Sequence, residues 1–227
     1  MGGVGRTNSH THMSKPLCID LYCGLGGWAE GFLAEGWDVI GFDIERHDYG
    51  TGGYPGQLVL QDVLTLHGSQ FKNADCIVAS PPCQFFSYCA MPWSRAKELA
   101  KRTRESPELV EKELALFKTC FRIQREACEA AGRHIPMVVE NVRGAQPWVG
   151  RAAWSFGSRF LWGNVPALMP ASKELKGTGG SWFGEYRKRG DPGSFVSSRS
   201  TQRDKIQAER SKIPFPLASH IAKVYHP

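Results

Sequence analysis

The stretch "ASPPCQFFS", residues 79–87, holds Cys83 behind two prolines at the end of the apolar run "DCIVAS" (75–80). Proline has no N–H to give a ladder, so a strand that reaches Pro81-Pro82 stops pairing there. The same prolines stiffen the backbone and present the thiol at the carboxyl edge of a sheet, where doubly wound folds bind ligands. A cysteine that only fills a core needs no such presentation, so the spacing favours a nucleophile over a packing residue. A second stretch, "VVENVRG", puts Glu140 and Asn141 at the end of "PMVVE" (136–140). A carboxylate there is costly unless it has a partner or a task. If the two runs are neighbouring strands, about 4.8 Å apart, Cys83 and Glu140 face one cleft. A thiol beside a carboxyl suits attack on an electrophilic ring with protonation of that ring. The alternative for Glu140 is a cap on the following turn.

A third constellation, "DLYCGLGG" (20–27), follows the apolar run "LCIDL" (17–21). Its glycines allow close approach of backbone to ligand, and the helix that follows offers its first N–H groups. Asp43 ends the next apolar run, "DVIGFD" (38–43), where ribose hydroxyls bind in adenosine sites. Asp62 in "LQDV" has the chemistry to accept from an adenine amino group. Gly24-x-Gly26-x-x-Ala29 also satisfies a loose dinucleotide fingerprint, so these residues alone leave NAD and S-adenosylmethionine both open, and a purely structural turn as well.

These groups need elements to hold them. Strands are predicted at 17–21, 38–43, 75–80 and 136–140, with a helix from about Trp28 to Glu35 between the first two. Ser106-Pro107 reads as an N-cap with proline at the first helical position, opening a helix that apolar spacing carries to about Ala131. A last helix is expected from about Pro216. Strands alternating with helices predict an α/β fold: a doubly wound, mostly parallel, Rossmann-like sheet covered on both faces. After Gly144 the pattern thins, and residues 176–200, rich in Gly, Ser and Arg, read as a loop or insertion.

Composition narrows the classes. The 227 residues suit one such domain with a small appendage. No run approaches about eighteen apolar residues, and no apolar signal core opens the chain, so a cytosolic protein without a membrane partner is expected. Seven cysteines, none spaced as CxxC, predict reduced thiols at Cys18, Cys76 and Cys120, with no disulfide framework and no metal. The net charge of +6 is uneven: from Arg143 to Lys212 basic residues outnumber acids thirteen to five. Such an excess points to a polyanion, nucleic acid first, or else to a solubilising face.

In order and spacing, "DLYCGLGG", "GFDIE", "QDV", "SPPCQFFS", "ENVRG" and "IPFPLASHIA" resemble the C5-cytosine DNA methyltransferase family. The likeness covers residues 17–144 well and 211–224 loosely, and PPCQ followed by ENV is its most specific part. It implies S-adenosylmethionine as cofactor, double-stranded DNA as partner, and a cytosine flipped from the stack to reach the site. Under that resemblance Tyr22, Gly24, Gly26 and Gly27 line the methionine and adenine parts of the cofactor, Asp43 holds the ribose and Asp62 the adenine amino group. Cys83 matches the nucleophile that adds to C6. Glu140 matches the carboxyl that bonds N3 and the 4-amino group. Gln84 and Ser87 fall where the family motif approaches the DNA backbone. The basic stretch 91–106, with Arg102 and Arg104, matches a loop that closes over DNA; the alternative is an exposed helix with solvated charges.

The chain also departs from the family. The usual glutamine- and arginine-bearing motif on a later strand is matched only by "SRFLWG", which makes Arg159 the candidate for touching the base. Ser211-Lys212 stand where an asparagine loop usually cradles the cofactor, so Ser211 takes that assignment. Only residues 164–212 fill the place of a recognition domain, a brevity that resembles compact phage and prophage methylases. The expected organisation is a leader or expression scar at 1–13, a catalytic domain at 14–163, a basic DNA-recognition segment at 164–212 with Arg187, Lys188 and Arg189, and a terminal helix within 213–227 packing back on the catalytic domain. So short a recognition segment implies a short target, or a homodimer that shares the reading. The rivals are a tRNA cytosine methyltransferase with the same motifs and a catalytically silent DNA-binding protein of the same fold.

Overall fold

A computed structural model describes residues 14–49, 52–87, 93–169, 208–209 and 211–227 of the chain. The leader assigned to 1–13 and most of the segment 164–212 lie outside them. Among the described residues seven strands form one sheet: β1 (Leu17–Leu21), β2 (Asp38–Asp43), β3 (Gln57–Leu60), β4 (Cys76–Ala79), β5 (Met137–Asn141), β6 (Trp154–Phe156) and β7 (Arg159–Gly163). Their order is β3-β2-β1-β4-β5-β7-β6. The first five are parallel, β7 runs antiparallel to β5, and β6 pairs antiparallel with β7. The chain therefore steps outward from β1 to β3 and returns to β4. This reversal between β1 and β4 opens a crevice at the carboxyl ends of the strands.

The strands are apolar because both of their faces are covered. Cys18 of β1, with Cys76 and Val78 of β4, packs against Trp28, Phe32, Leu217 and Ile221. Ile19, Leu21, Ile77 and Ala79 point the other way, into a cluster with Leu114, Phe117, Cys120 and Ile123. The first layer is made by α1 (Gly27–Ala34) and α5 (Phe215–Tyr225), the second by α3 (Pro107–Ala131). Ser106 Oγ accepts from Leu109 N to start α3, and Gly132, at φ 63°, ends it. The two helices of the first layer touch backbone to backbone, since a Cβ on Gly31 would lie 2.5 Å from Ser219 N. Ser219 Oγ donates to Glu35 Oε1 at 2.6 Å across the same contact.

Three parts differ from the sequence reading. The strand β3 has no counterpart among the predicted strands. Over its described length the stretch 91–106 takes the second of its two readings, an exposed helix, α2 (Trp93–Glu105), rather than a loop, because residues 93–105 contain no glycine or proline. Leu99 packs it onto the α3-side cluster, while Trp93 is 75% exposed with Lys97 Nζ 5.2 Å from its ring centroid. Finally, the thinning pattern after Gly144 hides a short helix, α4 (Gln146–Val149), and the β6–β7 hairpin.

Candidate active site

The crevice is built from two corners. In the first, β1 runs into a turn whose backbone is held by side chains from neighbouring elements. Tyr22 sits at φ 56°, a strained value for a side-chain-bearing residue, and its hydroxyl donates to Leu116 O on α3 at 2.9 Å. Burial pushes the Tyr22 phenol up, and the charges of Asp62 and Asp43 add to the rise. Gly24 N donates to Asp43 Oδ2 at 2.9 Å, so the acid ending β2 fixes the turn that follows β1. Asp43 is 9% exposed, and its Oδ1 meets Glu45 N at 3.4 Å and His47 Nε2 at 3.5 Å as further partners. Asp62 stands half-buried past β3, where its carboxylate accepts from Leu64 N at 2.9 Å.

The three glycines of this turn do different work. A Cβ on Gly24 would meet nothing within 4 Å, so this one opens onto free space. At Gly26 it would lie 3.0 Å from Tyr54 Cδ2 and Pro55 Cγ, and at Gly27 it would overlap Ile213, 2.8 Å from its carbonyl oxygen. Gly26 and Gly27 are thus required by packing of other chain segments, while Gly24 leaves room for a ligand. Ile44, following Asp43, leaves 71% of its surface exposed at the same corner. Beneath the turn lies a residue to which the sequence assigned no role. Asp20 is fully buried, accepts from Tyr54 Oη at 3.1 Å, and has an Oδ1 without a hydrogen-bond partner among the described residues. Burial holds its carboxyl well above the usual range.

The second corner lies at the ends of β4 and β5, which pair in register from Ile77–Met137 to Ala79–Val139. Beyond Ala79 the chain is clamped twice: Trp28 Nε1 donates to Ser80 Oγ at 3.0 Å, and Asn141 Nδ2 donates to Pro81 O at 2.9 Å. Asn141 follows Glu140 directly, so the strand end that carries the carboxyl also holds the proline turn. Cys83 emerges half-buried from that turn, and its carbonyl accepts from Phe86 N at 3.0 Å and Ser87 Oγ at 2.8 Å. Buried Phe85 and Phe86 anchor the loop. Ser87 therefore closes the turn of Cys83, while Gln84 is exposed on a cavity of about 390 Å³ shared with Phe85, Leu99 and Arg102.

Glu140 is 6% exposed, and Arg159 Nη1 on β7 donates to its Oε1 at 3.1 Å. The same guanidinium donates to Ser211 O at 2.9 Å and Lys212 O at 2.8 Å. Burial pushes the Glu140 carboxyl up against the pull of Arg159. The Cys83 thiol is raised by burial, lowered by Ser87, raised by Glu140 and lowered by Arg159. Cysteine, carboxyl and arginine thus form one electrostatic unit. Ser211 meets it through its carbonyl, bonded to Arg159. Lys212 closes the circuit by pairing its Nζ with Glu30 Oε1 on α1. Of the remaining site candidates, Arg102 is exposed on α2 and Arg104 lies on the same helix. Arg187, Lys188 and Arg189 lie outside the described residues. Among the described residues no group of three or more His, Cys, Asp or Glu is disposed to hold a metal ion, and no helix is long and apolar enough to cross a membrane.

An open sheet of this order, with the candidate side chains at the carboxyl edge beside the switch from β1 to β4, defines the doubly wound, Rossmann-like class. Within it, residues 17–109 match the family model of C-5 cytosine-specific DNA methylase, the family that the motifs resemble. The matched span includes the glycine turn, Asp43, Asp62 and Cys83 but ends before Glu140 and Arg159. No curated protein matches the chain. Among solved structures it is similar to a protein described as a DNA modification methyltransferase encoded within an E. coli prophage (25% identity, TM-score 0.36, 58% of this chain and 33% of that one). It is similar also to the S. pombe Dnmt2 methyltransferase (15%, 0.36, 59% and 36%) and to the Entamoeba histolytica methyltransferase EhMeth (14%, 0.37, 60% and 41%). The chain thus spans less than half the length of each.

Proposed function

We propose that this protein transfers a methyl group from S-adenosylmethionine to C5 of a flipped cytosine in DNA. The observation that carries the reading is the parallel pairing of β4 with β5, which brings Cys83 and Glu140 to one edge, while the antiparallel pairing of β7 with β5 backs the carboxyl with Arg159. C5 of cytosine is too weak a nucleophile to take a methyl group unaided. Addition of the Cys83 thiolate to C6 moves an electron pair toward C5, and Glu140 delivers its proton to N3 as that charge develops. Arg159 holds the carboxylate left behind. C5, made electron-rich, then takes the methyl group that the bound cofactor supplies. Water takes the C5 proton as the Cys83 thiolate is expelled, and N3 returns its proton to Glu140, so that ring, thiolate and acid are all restored.

The first corner suits the cofactor. Gly24 leaves space beside its backbone, Asp43 offers carboxylate oxygens for ribose hydroxyls, Asp62 an acceptor for an adenine amino group, and Ile44 an apolar face. When bound there, S-adenosylmethionine supplies an electrophilic methyl group on its sulfonium. The basic sequence 164–212 is the proposed element of target recognition.

Incubation with methyl-tritiated cofactor and separate pools of duplex DNA and tRNA tests the reading. Label at C5 of cytosine in DNA is the expected result, and Cys83→Ala removes it while cofactor binding stays within about threefold. Label in tRNA alone makes the substrate RNA. No label in either pool leaves a binding protein.

A further inference from the structure

Beyond β5 the chain turns through Arg143–Ala145 into α4, and the turn and helix border an open groove of about 460 Å³ lined by Arg143, Gln146, Pro147 and Arg151. We infer that this groove is a phosphate-binding site for the DNA backbone beside the catalytic cleft, an inference that rests on DNA being the substrate. Charge points to an anion. From Asn141 to Lys173 there is no Asp or Glu, although Arg143, Arg151, Arg159 and Lys173 all fall there. A solubilising surface mixes both signs, and among the described residues neither Arg143 nor Arg151 has a carboxylate partner. Both arginines are exposed.

The groove is also a built feature. Gly144 and Ala145, between Arg143 and Gln146 in the chain, are buried, Gln146 Oε1 accepts from Ala152 N at 3.2 Å, and Trp162 Nε1 ties down Gly150 O at 2.9 Å. Trp148 of α4 packs on Phe85, 5.7 Å between centroids, which joins the groove wall to the Cys83 turn. Arg143 lies three residues from Glu140. A cytosine held between Cys83 and Glu140 leaves its own backbone at the mouth of the cleft, where flanking phosphates need cations. Arginine forks suit phosphate oxygens, and the Gln146 amide adds a neutral donor.

The test compares wild type with Arg143→Gln/Arg151→Gln on a duplex containing the target cytosine, with S-adenosylhomocysteine bound. Two lost phosphate contacts lower the slope of log K against log salt by about 1.8 and weaken binding roughly ten- to a hundredfold at low salt, by the same counterion release. Arg143→Lys/Arg151→Lys, which keeps the charge, retains most of the slope. Neutral methylphosphonate linkages walked along the duplex locate the contact without any variant. Wild type is expected to lose affinity at one or two linkages next to the target, and the Gln variant to lose nothing further there. Retained S-adenosylhomocysteine affinity shows that the variant is folded. An unchanged salt slope overturns the inference, as does an equal methylphosphonate effect at every linkage. If wild type methylates duplex cytosine while the Gln variant binds like wild type, the groove alone is wrong. If wild type binds and methylates only RNA, the functional reading falls, and the DNA site with it.

Discussion

Burial drives the Cys83 thiol and the Glu140 carboxyl in the same direction, yet the proposed reaction needs them in opposite states, thiolate and acid. The working form therefore carries one proton between the two groups, and kcat/KM follows a bell. The rate rises as the pair loses its first proton, above the ordinary carboxylate range, and falls as it loses the second, above the ordinary thiol range. Glu140→Gln is expected to leave a single rise, through the Cys83 ionisation, at a rate about 10²–10⁴-fold lower. Initial rates on one duplex across the acid and alkaline ranges check the shape. Asp20 offers a second test by titration. Its folded-state pKa lies above the unfolded value, so its favourable contribution is complete below the unfolded pKa and is lost as pH rises through the folded one. Asp20→Asn keeps an acceptor for the Tyr54 hydroxyl and removes the buried charge. The variant should gain stability over wild type with rising pH, at about 1.4 kcal/mol per pH unit within that window. Thermal melting at acid and alkaline pH measures the difference; equal melting shifts at both would place the effect elsewhere.

The contact between α1 and α5 depends on the missing side chain of Gly31. Gly31→Ala forces Ala218 and Ser219 away and should cost about 1–3 kcal/mol, as overpacking does. Urea unfolding with an unchanged m-value would register it. Elements like these differ in how openly the sequence displays them. The spans of β2 and α3 are legible to the residue, since "DVIGFD" lies between turn signals and Ser106-Pro107 and Gly132 bracket a long apolar spacing. By contrast, β3 is four residues at a sheet edge with both ends exposed, so its pairing with β2 supplies what its own pattern lacks. The helix α2 keeps little apolar face beyond Leu99, and its charged residues read equally well as a loop. Candidate site residues divide in the same way. Cys83 and Glu140 are legible because prolines and a strand-end acid are local signals. The work of Gly27 is not, because what fills the space beside it is Ile213, nearly two hundred residues later.

At the scale of the molecule, the two corners of the crevice are joined by the end of the chain. Arg159 takes the carbonyls of Ser211 and Lys212, Lys212 pairs with Glu30, and Ile213 lies against Gly27 and in the core with Trp28 and Leu217. Lys212→Met keeps the stem and loses the ion pair. It should lower single-turnover transfer at saturating cofactor by about tenfold, the scale of one charge-assisted hydrogen bond, and the exchange Glu30→Lys/Lys212→Glu should recover much of it. Rates of both variants beside wild type decide whether the pair matters to chemistry or only to packing. The same bracing means that Cys83, Glu140 and Arg159 do not make a centre by themselves. A chain ending at residue 207 retains all three and is expected to be inactive. Because the missing piece is a helix with its own apolar face, a separate peptide of residues 208–227 should restore transfer when the two are expressed together. The centre would then be reconstituted from two polypeptides, with activity saturating in peptide concentration, and its output could be set by the supply of a twenty-residue fragment.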